Sequence, residues 1–449
     1  MTATEPVSVA ASAHRMRAQI VIVGCGFGGL EATKALRHAE VDITLVDRQN
    51  HHLFQPLLYQ VATAGLTAPA VAEPIRHLFR RQTNVTVLMA TVTDLDAKRK
   101  VIFLQDGQTL GYDHLIVAAG ATHSYFGHDD WAVHAPGLKT LADAFVIRHR
   151  MLLAYERAEC LGPDASAEER QALLTTVVIG AGPTGVELAG TMIELARHTL
   201  QGEFRRFEPR RARVLLIEGG ARVLANFPES LSASAQRQLD RLGVEVMLDT
   251  KVTAIDAQGV QVSQGGNSRN IPSGNVVWAA GVAAVALGKL VAQATGAQHD
   301  RTGRVKVLPD LSLPGHPEIS VVGDLAAALS HAAGADPTPV PGVSQGAKQM
   351  GRRAAKNSLL RLKGEPAEAF HYVNYGDVAT IGRKAAIAAL QVPMWGTLRF
   401  TGFTAWLFWL FLHILFLIGF RNRVVVMIDW ALSYFTFNRH ARIVVGKDD

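Results

Sequence analysis

The sequence predicts an α/β fold with two Rossmann-like dinucleotide-binding domains, followed by a helical carboxy-terminal region that attaches to a membrane. Three observations predict it. A strand–glycine loop–helix–strand unit occurs twice, with its first glycines, Gly24 and Gly180, 156 residues apart. Each unit ends its second strand on an acid. The last sixty residues change character and become apolar, tryptophan-rich and basic. The length of 449 residues suits two or three domains, and 48% hydrophobic residues suffice to core them.

Residues 1–17 have no apolar core of a secretory signal and read as a flexible tail, which predicts a chain that stays on the cytoplasmic side. The apolar run 19–23 is of strand length, and GCGFGG follows at once. LEATKALRHA then has helical spacing, and VDITLVD at 41–47 is a second strand ending on Asp47. In this loop Gly24 makes the tight turn, Gly26 lets backbone amides approach a pyrophosphate, and Gly29 lets helix and strand pack closely. The helix amino terminus then offers free N–H groups and a dipole to phosphate.

Residues 51–66, rich in aromatics and amides, read as a loop and helix lining a cofactor. Short strands are expected near 85–89 and 101–104, and another at 112–120 that closes on small residues. Residues 138–174 read as helical with a loop at GPDAS. TTVVIG at 175–180 restarts the pattern, with Gly180, Gly182 and Gly185 as the fingerprint glycines and Glu218 ending the strand at 213–218. Glu218 lies further on than the usual roughly 20 residues because its helix is longer. An acid there accepts bonds from ribose hydroxyls and repels a 2′-phosphate, favouring NADH over NADPH; Arg222, four residues on, weakens that preference slightly.

A strand at 318–326 ends in Gly323-Asp324, and a helix is expected at 343–360 after a Pro-rich loop. This VVGD segment resembles the distal FAD motif of disulfide-reductase-like flavoproteins, in which the Asp binds the ribityl or pyrophosphate end. A strand-end Asp capping the next helix fits the same sequence. The resemblance assigns FAD, one per chain, to the first fingerprint and NADH to the second. The expected segments are therefore 18–135 (FAD, first part), 136–300 (NADH), 301–380 (FAD, second part) and 381–449 (membrane region).

Two cysteines, Cys25 and Cys160, exclude a disulfide scaffold and a Cys-rich metal site, and no metal is expected. Cys25 lies in the phosphate loop and Cys160 far away, so a redox cysteine pair beside the flavin is disfavoured. Electrons must leave to a soluble protein, to oxygen or to a membrane quinone. From Thr380 to Lys447 there are eight Lys/Arg and one acid, Asp429. That charge flanks an apolar stretch instead of forming a polar basic patch, which favours an anionic membrane over nucleic acid. Residues 402–420 carry one ionisable group, His413, and Trp395, Trp406, Trp409 and Trp430 supply an aromatic belt. The length borders on spanning; a monotopic dip is preferred, and a buried core helix is the alternative.

With these residues in view, the chain resembles the type II, single-subunit, non-proton-pumping NADH:quinone oxidoreductases. GCGFGGLEA, HHLFQPLLYQVATAGL, GAGPTGVELAG, WAAGV, VVGD, SQGAKQMG and FLHILFLIGFRNR carry the resemblance. It implies bound FAD, NADH as donor, menaquinone or ubiquinone as acceptor, a homodimer, and peripheral attachment to the cytoplasmic face of the cell membrane. It places Gln345 and Gln349 at the quinone; they stand at i and i+4, on one helix face. As bare residues they are equally at home bonded to backbone. It makes Glu187 the acid near flavin and nicotinamide, where sequence alone prefers an exposed helix glutamate. It sets Lys384 beside the quinone tunnel. The alternative is an NAD(P)H reductase serving a soluble redox protein, which would not need so apolar a carboxy terminus.

Overall fold

The computed structural model describes residues 17–162, 164–332, 334–392, 396–436, 439 and 441–444. Most of the amino-terminal tail, and Trp395 of the expected aromatic belt, lie outside these residues. The chain divides into two compact units, one comprising 1–50, 75–121 and 284–372, the other 51–74, 122–283 and 373–449.

In the first unit the strand Ala18–Val23 is central, and its apolar residues from Ile20 onward are buried. Val41–Asp47 pairs with it in parallel on one side and His114–Val117 on the other. A strand covered on both faces reads as a continuous apolar run, which is why the sequence signals it so strongly. The sheet continues to Val85–Met89 at one edge and to His316–Val321 and Ser312–Leu313 at the other. The order of connection reverses at Ala18–Val23, so the crevice for a ligand opens beyond its carboxyl end.

The second unit repeats the plan. Thr175–Ile179 is central between Arg213–Ile217 and Asn275–Trp278, all parallel, with Glu245–Met247 at the edge. Beneath it Val177, Ile217 and Trp278 pack with Tyr125 and Trp131. The region expected to be helical at 138–174 forms helices Leu141–Cys160 and Ala167–Leu173, each opened by a capping box, Thr140 with Asp143 and Ser166 with Glu169. After residue 373 come an antiparallel sheet, Gly376–Gly382, Ala385–Val392 and Gly396–Thr401, and helices Phe403–Phe416 and Phe420–Thr436.

Contacts divide the chain differently from the expected segments. Residues 51–74 join the second unit because helix Leu58–Ala62 packs on helices Leu141–Cys160 and Pro183–Glu194. Residues 284–300 join the first because helix Ala286–Thr295 packs on strand Val92–Asp96. The carboxy-terminal region joins the second unit from residue 373. Gly419, with φ +88°, breaks the apolar run into two helices, and the first has 14 residues. Its length of about 21 Å falls short of a hydrocarbon core roughly 30 Å thick. Among the described residues no helix is long and apolar enough to cross a membrane.

Candidate functional site

The two glycine loops are built alike. Gly24 and Gly180 adopt φ of +96° and +99°. A Cβ on Gly24 would lie 2.5 Å from the Ala118 carbonyl oxygen, and one on Gly180 would lie 2.6 Å from the Ala280 Cα. A Cβ on Gly29 or Gly185 would come within 1.8 Å of the carbonyl of its own loop's first glycine. Positions 24, 29, 180 and 185 thus admit no side chain. Gly26 and Gly182 differ: a Cβ there meets nothing within 4 Å. Both are helix N-caps without a side-chain cap, so the first helical amides remain available to an anion. Open space, uncapped donors and a helix terminus fit a pyrophosphate at each loop.

The acids are also mirrored. Asp47 accepts the Cys25 amide at 2.6 Å and the Gln49 amide at 2.7 Å. Glu218 accepts the Ala181 and Gly220 amides, both at 2.8 Å. Each carboxylate is anchored to its loop and retains lone pairs for a ribose. Arg222 spends its guanidinium on the carbonyls of Phe227 and Ala225, at 3.0 and 2.7 Å. It therefore does little to offset the repulsion of a 2′-phosphate by Glu218. Cys25 is buried, and burial together with Asp47 pushes its thiol up, which makes it inert.

In the first unit, strand His316–Val321 leads to Gly323, φ +72°, and Asp324. The Asp324 carboxylate faces Gly342, where a Cβ would lie 3.5 Å away. Helix Ser344–Leu362 begins two residues later, and Gln345 and Gln349 are half-buried on its first turns. Its amino terminus carries no side-chain cap. This helix crosses the fingerprint helix Phe27–Ala35 at glycines; a Cβ on Gly351 would lie 2.1 Å from the Gly28 carbonyl oxygen. The crossing brings Ala347 and Gly351 of this helix against Gly28, next to the first glycine loop.

In the second unit, helix Pro183–Glu194 presents Glu187, Thr191 and Glu194 along one face. Gly190 admits strand Gly376–Gly382; a Cβ there would lie 1.6 Å from the Ile381 carbonyl oxygen. The Thr380 amide then donates to the Glu187 carboxyl. Burial outweighs that bond and holds Glu187 well above the usual carboxyl range. Glu194 accepts the Arg383 amide at 2.6 Å and lies 3.8 Å from the Arg439 guanidinium, and burial again pushes its carboxyl up. Arg439 also donates to the carbonyls of Thr63 and Thr191.

Beside this face is a cavity of about 120 Å³ whose wall includes Tyr59, Gln60, Glu194, Arg383, Trp409 and Tyr434. Trp409 stacks on His413 at 4.2 Å, and the His413 Nδ1 lies 2.7 Å from the Trp409 carbonyl. Burial lowers the His413 imidazole to about 4, so it is neutral at pH 7. The cavity wall includes Arg383 but not Lys384. Lys384 occupies the tip of the hairpin with φ +66°, its ammonium 4.8 Å from the Tyr434 ring centre.

Of the expected site residues, the first unit gathers Gly24, Gly26, Gly29, Asp47, Gly323, Asp324, Gln345 and Gln349, and the second gathers Gly180, Gly182, Gly185, Glu187, Glu218 and Lys384. Sequence reasoning missed Tyr59, Gln60, Glu194, Arg383 and Arg439. Glu194 was accessible from its spacing of seven from Glu187, two turns along one helix face. Tyr59 and Gln60 lay in the 51–66 segment already marked as cofactor-lining. Nothing in the sequence marks Arg439.

Residues 18–352 match the pyridine nucleotide-disulphide oxidoreductase family, and residues 375–440 match the NDH2 C-terminal domain. The chain is 46% identical to the type II NADH:quinone oxidoreductase NdhA of Mycobacterium tuberculosis, over 93% of this chain and 87% of that protein. It is 44% identical to the type II NADH:quinone oxidoreductase Ndh of the same organism, over 97% and 91%. In fold it matches NDH2 from Plasmodium falciparum in complex with NADH, with a TM-score of 0.82, 20% identity, and coverage of 96% of this chain and all of that one. With twin phosphate loops, no redox cysteine pair and an apolar carboxy terminus already in place, these matches settle the family: the chain belongs to the type II NADH:quinone oxidoreductases, within the pyridine nucleotide-disulphide oxidoreductase flavoproteins.

Proposed function

We propose that this chain carries electrons from NADH through one bound FAD to a membrane quinone, without moving protons across the bilayer. The flavin, when bound, supplies the two-electron chemistry, and the protein supplies placement and electrostatics. Gly24, Gly26, Gly29 and the helix start at Phe27 cradle the FAD pyrophosphate, Asp47 takes its adenosine ribose, and Gly323-Asp324 holds its ribityl end. Gly180, Gly182 and Gly185 do the same for NADH, with Glu218 on the ribose. Gln345 and Gln349 offer amides to a quinone carbonyl. Glu187 holds a proton beside the site of reduction, and Lys384 places a positive charge near the cavity mouth.

The observation that carries this reading is the cavity walled by aromatic rings and the buried Glu194 carboxyl, in the unit that also carries the NADH loop. Such a wall suits a flat apolar ring with two carbonyls. Phe403, Leu407, Phe411, Phe420 and Phe435 are exposed on the two last helices, and Arg399, Arg421 and Arg423 flank them. That pattern supports a dip into the anionic cytoplasmic leaflet. The homodimer expected of the family belongs to the same proposal. Anaerobic NADH should bleach the flavin absorbance, and a menaquinone or ubiquinone analogue should restore it at the steady-state rate. Bleaching without recovery by either quinone would sink the acceptor assignment.

A further inference from the structure

The cavity contains a chain of hydrogen bonds whose direction is fixed at one end. The Trp430 indole N–H donates to Gln60 Oε1 at 2.7 Å, and Gln60 Nε2 donates to the Tyr59 hydroxyl oxygen at 3.0 Å. An indole nitrogen only donates, so it dictates which end of the Gln60 amide faces it. The amide must turn its carbonyl to Trp430 and its NH₂ to Tyr59. Tyr59 oxygen is then an acceptor, and its own proton is directed away from Gln60. No other described residue accepts that proton. All three side chains line the cavity.

Resting on the quinone reading above, the geometry points to Tyr59 as the hydrogen-bond donor to the quinone carbonyl, with Gln60 and Trp430 as positioning residues that aim its hydroxyl. Burial, and the nearby carboxyls of Glu187 and Glu194, keep the phenol protonated across the working pH range. A fixed donor in an apolar cavity binds a carbonyl and holds it more tightly as charge builds on the oxygen during reduction. Trp430 lies on helix Phe420–Thr436, whose other residues Met427, Ile428, Leu432 and Phe435 are exposed apolar groups. The donor is therefore set by the helix that meets the membrane, and it is aimed only while that helix is seated.

The test is steady-state kinetics of the full-length flavoprotein with a short-chain quinone, with rates expressed per bound flavin. Tyr59→Phe should lower kcat/KM for quinone roughly tenfold, the usual effect of one buried neutral hydrogen bond. Trp430→Phe keeps a ring against Trp409 but frees the amide to invert, so Tyr59 turns its proton onto Gln60. It should lose most of the same factor although Tyr59 is intact. The double variant should be no worse than Tyr59→Phe alone. Gln60→Glu, whose carboxylate accepts from both neighbours, should reproduce the Tyr59→Phe loss. Multiplying losses in the double variant, or unchanged kcat/KM in Tyr59→Phe, would overturn the inference and leave the quinone reading intact. A wild-type protein bleached by NADH yet silent towards quinone would instead overturn that reading.

Discussion

Glu187 owes its character to what surrounds it. Burial disfavours its charged form more strongly than the single Thr380 amide favours it, so the carboxyl holds its proton above the usual carboxylate range. The proton is fully present at low pH and is lost as pH rises through that raised value. If it supports quinone reduction, quinone-dependent turnover should fall over that interval while anaerobic flavin bleaching by NADH stays level. Glu187→Gln should flatten the pH profile and lower turnover by about 10²-fold, the scale of a lost general acid. A profile unchanged by the substitution would remove Glu187 from the proton path. Four of the fingerprint glycines, Gly24, Gly29, Gly180 and Gly185, were legible because each answers to a local backbone demand, a positive φ or a contact that admits no Cβ, while Gly26 and Gly182 leave open space at a helix start. Arg439 was not, because its partners, Thr63, Thr191 and Glu194, come from distant stretches of the chain.

Two glycines decide how helices meet their neighbours. Gly190 lets strand Gly376–Gly382 lie against helix Pro183–Glu194, and Gly351 lets helix Ser344–Leu362 cross the first fingerprint helix. Neither belongs to a phosphate loop, and in sequence each looks like a weak point in a helix. Gly190→Ala should gain helix propensity yet lose about 1–3 kcal/mol from forced overpacking. It should also pull Thr380 from Glu187, removing the one bond that favours the carboxylate and shifting the pH profile of turnover still further above the ordinary carboxyl range. Gly351→Ala should cost a similar amount and weaken flavin retention, because it moves the helix that presents Gln345 away from the first glycine loop, the proposed seat of the pyrophosphate. Thermal unfolding and flavin release on gel filtration measure both. A rise in Tm for either variant would mean that the backbone yields at the crossing. The apolar run at 402–420 is likewise one element to hydropathy, although its helix stops at Phe416 and Gly419 turns the chain into the next helix.

The βαβ repeat made both glycine loops legible because each is assembled from consecutive residues, whereas the cavity draws on 59–65, 191–199, 380–383 and 406–439. The proposed membrane face is likewise a property of the assembled unit: the two last helices bury Ala405, Trp409, Asn422 and Val426 inward and leave a phenylalanine-rich surface outward. Asn422 donates to Glu73, and Arg442 pairs with Glu203, so polar ties hold the region to the unit while its apolar side stays uncovered. Phe420 is 83% and Phe435 80% exposed, so neither supports the core. Replacing both with Asp should leave thermal stability within about 0.5 kcal/mol. Each loses an apolar anchor worth roughly 1.5–3 kcal/mol and adds a charge of the wrong sign. Flotation with vesicles containing phosphatidylserine should therefore drop more than tenfold, and wild-type flotation should weaken with salt because the flanking arginines act through a Debye length of about 10 Å at 0.1 M. A double variant that floats as well as the wild type, at unchanged stability, would mean that another surface meets the bilayer and that Trp430 is not the point where membrane contact reaches the quinone donor.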